Sequence, residues 1–127
     1  MTKTVLATIL ALLLCGCGPR VSVHADDTRS SKSAVQAWSD AFNEDRIDSL
    51  AGLVHPRRRS DFKKNRSTMR ERLKVWTIAR YRLGQAERVN NEFDGQQVTF
   101  VLHDGRRELK VSGLVVEMKG RWWLWTY

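Results

Sequence analysis

The sequence predicts an α+β domain, N-terminal helices packed in a curved antiparallel sheet, carried behind a cleaved signal peptide. Apolar residues recur at helical spacing between Ala34 and Trp76. From Thr77 the chain changes to runs rich in Val, Ile, Tyr, Phe and Trp, punctuated at Asp94-Gly95, Asp104-Gly105 and Lys119-Gly120. Ahead of both lies a short apolar run behind a single charge. Helices followed by a meander of strands is the order of an α+β layout in which the sheet wraps the helices. At 127 residues the chain has room for one such domain with its own core.

The first element is the leader. Lys3 is the one charge before Cys17, and Val5 to Leu14 is an apolar run interrupted only by Thr8. That run falls short of the roughly 20 residues a membrane-spanning helix needs, and a charged start, a short apolar stretch and then small residues is a secretory pattern. Leu14-Cys15-Gly16-Cys17 resembles the lipobox of bacterial lipoproteins. The resemblance implies cleavage before Cys17, a diacylglycerol on its thiol and membrane attachment through that lipid. Gly18, rather than Asp, is similar to lipoproteins delivered to the outer membrane, on its periplasmic side, in Gram-negative cells. The alternative is an ordinary signal peptide cut after Val23-His24-Ala25. Under the lipoprotein reading, residues 1–16 are the signal peptide, 17–32 the lipidated N-terminus and tether, and 33–127 the domain. The domain then holds no thiol, because both cysteines fall in the processing segment.

Residues 18–32 are polar, with a Pro and no apolar periodicity, and read as a tether reaching up to ~50 Å when extended. Ser33 and Gln36 stand at capping-box spacing, followed by Ala34, Val35, Trp38, Ala41 and Phe42 on one helical face. Asp45 is placed to cap a second helix with Ile47, Leu50, Leu53 and Val54 inside, ended at His55-Pro56 because the residue before Pro is driven out of the α region. A third helix is expected from Ser60 to Trp76, with Phe62, Met69, Leu73 and Trp76 on a narrow stripe. Strands then follow at Thr77–Glu92, Gln96–His103, Arg106–Lys119 and Arg121–Tyr127, with Asp-Gly read as hairpin turns and Gly113 as a bulge or bend.

Ala34-Val35-Gln36-Ala37-Trp38 through Phe42-Asn43, then Asp48 to Pro56, then Gly120-Arg121-Trp122-Trp123-Leu124-Trp125 resemble the nuclear transport factor two-like (cystatin-like cone) superfamily. The resemblance covers most of the domain and implies a cone of sheet around helices. Its motifs are packing residues, so it implies no particular chemistry. The superfamily includes enzymes, ligand binders and dimerisation modules, and no catalytic residue carries over.

Charge is the most conspicuous functional signal. Between Arg57 and Lys74 nine cations face two acids, an excess equal to that of everything after the leader. Arg57, Arg58, Arg59, Lys63, Lys64, Arg66 and Arg70 are the candidate contact with an anionic envelope component; a solvated, solubilising helix face is the plainer reading. An exported domain is not expected to meet nucleic acid. Of the five tryptophans, strand alternation puts Trp123 and Trp125 with Tyr127 on one face of the last strand, read as core, and Trp122 with Leu124 on the other. Trp122 and Leu124 are thus the candidate partner face, toward an envelope protein or a homodimer mate.

His55 and His103 are the residues able to exchange protons near neutral pH, with Asp40, Asp48 or Glu117 as partners, but nothing in their spacing marks a catalytic site. Three scattered histidines, His24 among them, lack the close pairs of a zinc site, and no cofactor motif is present, so neither metal nor cofactor is expected. The reading is a lipid-anchored envelope protein with a non-catalytic ligand- or partner-binding domain. Its rivals are a small isomerase, cyclase or hydrolase using the cone pocket, and a dimerisation or assembly module.

Overall fold

The computed structural model describes residues 25–126. Cys17, the expected signal peptide and the first part of the expected tether lie outside the described residues. The domain is α+β: a 3-10 turn at Ala25–Thr28, helices α1 (Ser31–Asn43), α2 (Ile47–Leu53), α3 (Arg59–Lys64) and α4 (Arg66–Val75), then strands β1 (Thr77–Val89), β2 (Phe93–His103), β3 (Glu108–Met118) and β4 (Arg121–Thr126). The strands form one antiparallel sheet in sequence order.

The fold begins earlier than the capping pattern predicts. Ser30 caps α1, its side chain accepting from the Ser33 backbone N–H while Ser33 Oγ accepts from the Ser30 N–H. The reciprocal pair satisfies two orphan donors at once. Gln36, expected in that role, instead accepts from the Tyr81 hydroxyl and donates to Asp40. Before the cap, Thr28 is buried and accepts from Arg121 Nη1 at 2.8 Å, so the chain from Ala25 is already packed beside β4.

Asp45 does not cap α2. It adopts φ 57°, and the Asp45 and Arg46 N–H groups return to the carbonyls of Phe42 and Ala41. Those two bonds close α1 with a Schellman motif, which needs a left-handed residue at this position. The expected third helix is broken in two at Asn65, which leaves the helical region at ψ 20° and donates from its amide to the Asp61 carbonyl. A side chain that returns to the backbone competes with the helix there. The apolar stripe survives the break: Phe62 and Met69 are buried, and Leu73 and Trp76 pack against the core.

The first hairpin turns at Asn90-Asn91, both left-handed, with Glu92 N–H bonded to the Val89 carbonyl. Asp94-Gly95, the expected turn, lies inside β2. A Cβ on Gly95 would stand 2.9 Å from Val89 Cγ2 and 3.0 Å from the carbonyls of Glu87 and Val115. Glycine is required there for close approach of neighbouring strands. The turns at Asp104-Gly105 and Lys119-Gly120 stand where expected. Irregularities interrupt the ladder at Ile78/Arg80, Leu83/Ala86 and Leu114/Val115, the last beside Gly113.

The main core lies between the helices and one side of the sheet: Val35, Trp38, Phe42, Leu50, Leu53 and Phe62 meet Ile78, Val98, Phe100, Leu102, Val115 and Leu124. A smaller cluster, Val89, Phe93 and Val116 with Leu114, Met118 and Trp125 against it, occupies the other side. The chain reaches that side by passing the β4 edge: Val54 makes a parallel bridge to Leu124, and His55 N–H donates to the Leu124 carbonyl at 2.8 Å. No helix among the described residues is long and apolar enough to cross a membrane.

Candidate functional site

Alternation along β4 sets what each tryptophan can do, and the observed faces are the reverse of the expected ones. Leu124 is fully buried in the main core and Trp122 is half-buried against it, because the helices lie over that face of β4. The Trp122/Leu124 pair therefore offers no open partner face. Trp123 and Trp125 lie on the other side of the sheet, under the segment that crosses the β4 edge.

That segment brings Arg57, Arg58 and Arg59 over three aromatic rings. Their guanidinium carbons stand 5.1 Å from Phe93, 5.6 Å from Trp125 and 5.3 Å from Trp123. Cations over ring faces are attracted by the ring quadrupole. Arg57 also makes a bidentate pair with Glu92, at 2.8 and 2.7 Å, and Arg59 donates to the carbonyls of Val54 and Gly52. The Arg57 bonds hold the Glu92 carboxyl below its usual range. Arg57 and Arg59 thus close the second cluster and are largely spent on the domain itself. Lys63, Lys64 and Arg70 are exposed and make no ion pair among the described residues; Arg66 is half-buried.

His55 sits beneath these arginines, fully buried, with its ring 5.1 Å from Phe93 and 5.0 Å from Trp125. Its Nδ1 accepts from the Arg57 backbone N–H, which assigns the proton of the neutral ring to Nε2, an atom without a partner among the described residues. Burial, then the nearby Arg57 and Arg59, push its pKa down. A neutral histidine walled by aromatics packs the cluster and starts the 3-10 turn at Pro56–Arg58.

The arrangement able to receive a ligand is elsewhere. A cavity of about 230 Å³ opens between α1, α4 and the helix-facing side of the sheet, walled by Trp38, Phe42, Met69, Trp76, Phe100 and Leu102. Ile78, Leu109, Val111 and Arg72 complete the lining. Among the described residues that line it, Arg72 is the one that carries a charge. Leu109 is 45% exposed, so it and Arg72 mark the mouth. Compared with protein-family models, with curated proteins and with solved structures, the chain matches none.

Beside the mouth, the turn at Asp104-Gly105 builds a fixed cation. Asp104 accepts from the backbone N–H groups of Arg107 and Arg106 and from the Arg107 guanidinium, bonds that bring its carboxyl down to about 2. Held by that carboxylate, Arg107 lies 5.4 Å over the ring of Trp76.

His103 stays at this turn, its Nδ1 accepting from the Gly105 N–H. Asp40, on α1, is bonded to Gln36; Asp48 is exposed; Glu117 stands opposite Trp122 on β3. None of these proton-exchanging candidates lines the cavity. Among the described residues no three His, Cys, Asp or Glu side chains group as a metal site. Sequence reasoning found Trp76 and Met69 as core residues. It missed that both residues, with Trp38, Phe42, Phe100 and Leu102, line a cavity.

Proposed function

We propose that this chain is a lipid-anchored envelope protein, held by a lipid on Cys17, whose domain is a non-catalytic binding cone for small apolar molecules. The observation that carries the reading is the cavity: an apolar, aromatic wall with one charged residue, Arg72, in its described lining. Binding sites for small ligands have this composition, a mainly apolar lining with few polar groups that fix orientation. Roughly 150 Å³ of apolar cavity accommodates benzene, so about 230 Å³ suits a somewhat larger body such as a short acyl chain or a substituted ring. The strand irregularities support a sheet curled round the helices, as the cone reading requires. Exposed Lys63, Lys64 and Arg70 remain suited to contact with anionic envelope material, while Arg57 and Arg59 are committed within the fold.

The experiment is native mass spectrometry of the Cys17→Ser protein recovered from the envelope compartment, beside its Val111→Phe variant. A discrete added mass on the first protein, lost when the introduced ring fills the cavity of a variant that still melts cooperatively, supports the reading. A bare protein in both cases, with no small apolar probe raising the melting temperature, sinks it. The anchor is tested separately: with the leader replaced by a standard cleavable export signal, Cys17→Ser should move the protein from the membrane to the soluble fraction.

A further inference from the structure

The acids near the cavity mouth are distributed unevenly among the cations. Glu71 faces Lys74 at 3.7 Å, Asp104 takes Arg107 at 2.9 Å and Glu108 takes Arg80 at 3.4 Å. Arg72 lines the cavity, is exposed, and has no carboxylate partner among the described residues. Its guanidinium offers a fork of donors that matches a carboxylate, and its aliphatic stem can lie along the apolar wall while the charge stays at the water boundary. Arg107, fixed over Trp76 at the same mouth, has its charge offset by Asp104 and leaves Arg72 as the cation open to a guest. Behind them the walls are apolar: Trp38 and Phe42 on one side, Phe100 and Leu102 on the other.

We propose that the cavity takes a single-chain anionic amphiphile of the carboxylate type, its apolar body between these walls and its head on Arg72. The inference rests on the binding reading above and adds the chemical class of the ligand. An uncharged molecule of the same length would fill the walls equally and leave Arg72 solvated. A cationic one would meet Arg72 as a like charge. A charge-assisted hydrogen bond therefore separates three probes of one chain length.

The test titrates octanoate, octanol and octylammonium into the full chain carrying Cys17→Ser, followed by tryptophan fluorescence, since Trp38 and Trp76 line the cavity, and by calorimetry. Octanoate is expected to bind about tenfold more tightly than octanol, and octylammonium more weakly than either. Arg72→Gln, at an exposed position, should bring octanoate to the octanol level and leave octanol unchanged. Equal binding of octanoate and octanol, or an octanoate preference that survives Arg72→Gln, overturns the anionic assignment while the cavity still binds. Failure of all three probes overturns the binding reading, and this inference falls with it.

Discussion

His55 is placed between two opposing demands, aromatic packing that favours the neutral ring and an aqueous phase that charges it in acid. Its folded pKa lies below the ordinary 6.5, so around and below that value the unfolded chain holds more protons than the folded one. Its contribution is complete above about 6.5 and is lost as pH falls. Urea midpoints should therefore drop between about pH 8 and about pH 5, and the drop should be shallower in His55→Gln. Equal slopes in the two proteins would refute the assignment. Asp104 acts in a lower window: with its carboxyl at about 2 rather than 3.8, its stabilisation is present above 3.8 and disappears toward 2. At this scale the sequence told part of the story. His55-Pro56 identified the helix end correctly, and a structural role for His55 follows from its placement, but nothing local announces a ring buried against Phe93, a residue distant in sequence.

Between elements, one side chain does much of the joining. Asn43, at the end of α1, accepts from the Ile78 N–H at 2.7 Å and donates to the Ile78 carbonyl at 2.9 Å, tying the helix to the start of β1. Asn43→Ala leaves both backbone groups without that partner and should cost about 1–3 kcal/mol in chemical denaturation. Gly95→Ala should cost a similar amount, about 1–3 kcal/mol, because the new methyl meets two backbone carbonyls as well as Val89. The same glycine shows why strand boundaries were only partly legible. Asp-Gly is a hairpin signal when its flexibility serves a turn, and the sequence does not reveal that Gly95 serves packing while Asn90-Asn91 supplies the two left-handed residues. Helix periodicity was more legible, since Trp38, Phe42, Leu50 and Phe62 all face inward as their spacing predicts. The break at Asn65 was not, because an amide that returns to its own helix leaves the apolar period intact.

For the molecule as a whole, two apolar clusters on opposite sides of one sheet explain why the face of the last strand was misread. Alternation separates Leu124 from Trp125 correctly, but which set meets the helices depends on where residues 54–59 pass the β4 edge. Phe62, almost fully buried at the junction of α3 with the main core and edge-on to Trp38, should be the costliest aromatic to truncate. Phe62→Ala is expected to lose about 3–5 kcal/mol, measured by urea unfolding. A ligand held in the cavity works in the other direction: at a concentration ~100 times its Kd it should add about 2.7 kcal/mol and raise the melting temperature by on the order of 10 °C. The four-strand meander also gives the domain two distinct poles. The β1–β2 and β3–β4 turns share one, and there the chain enters, Thr28 against Arg121. The β2–β3 turn, with Arg107 over Trp76 and the cavity mouth, forms the other, separated from the first by the length of β3, roughly 33 Å at the usual rise per residue. The cavity mouth thus lies at the end of the sheet opposite the point where the described residues begin, so a guest entering there would not pass the Thr28–Arg121 contact.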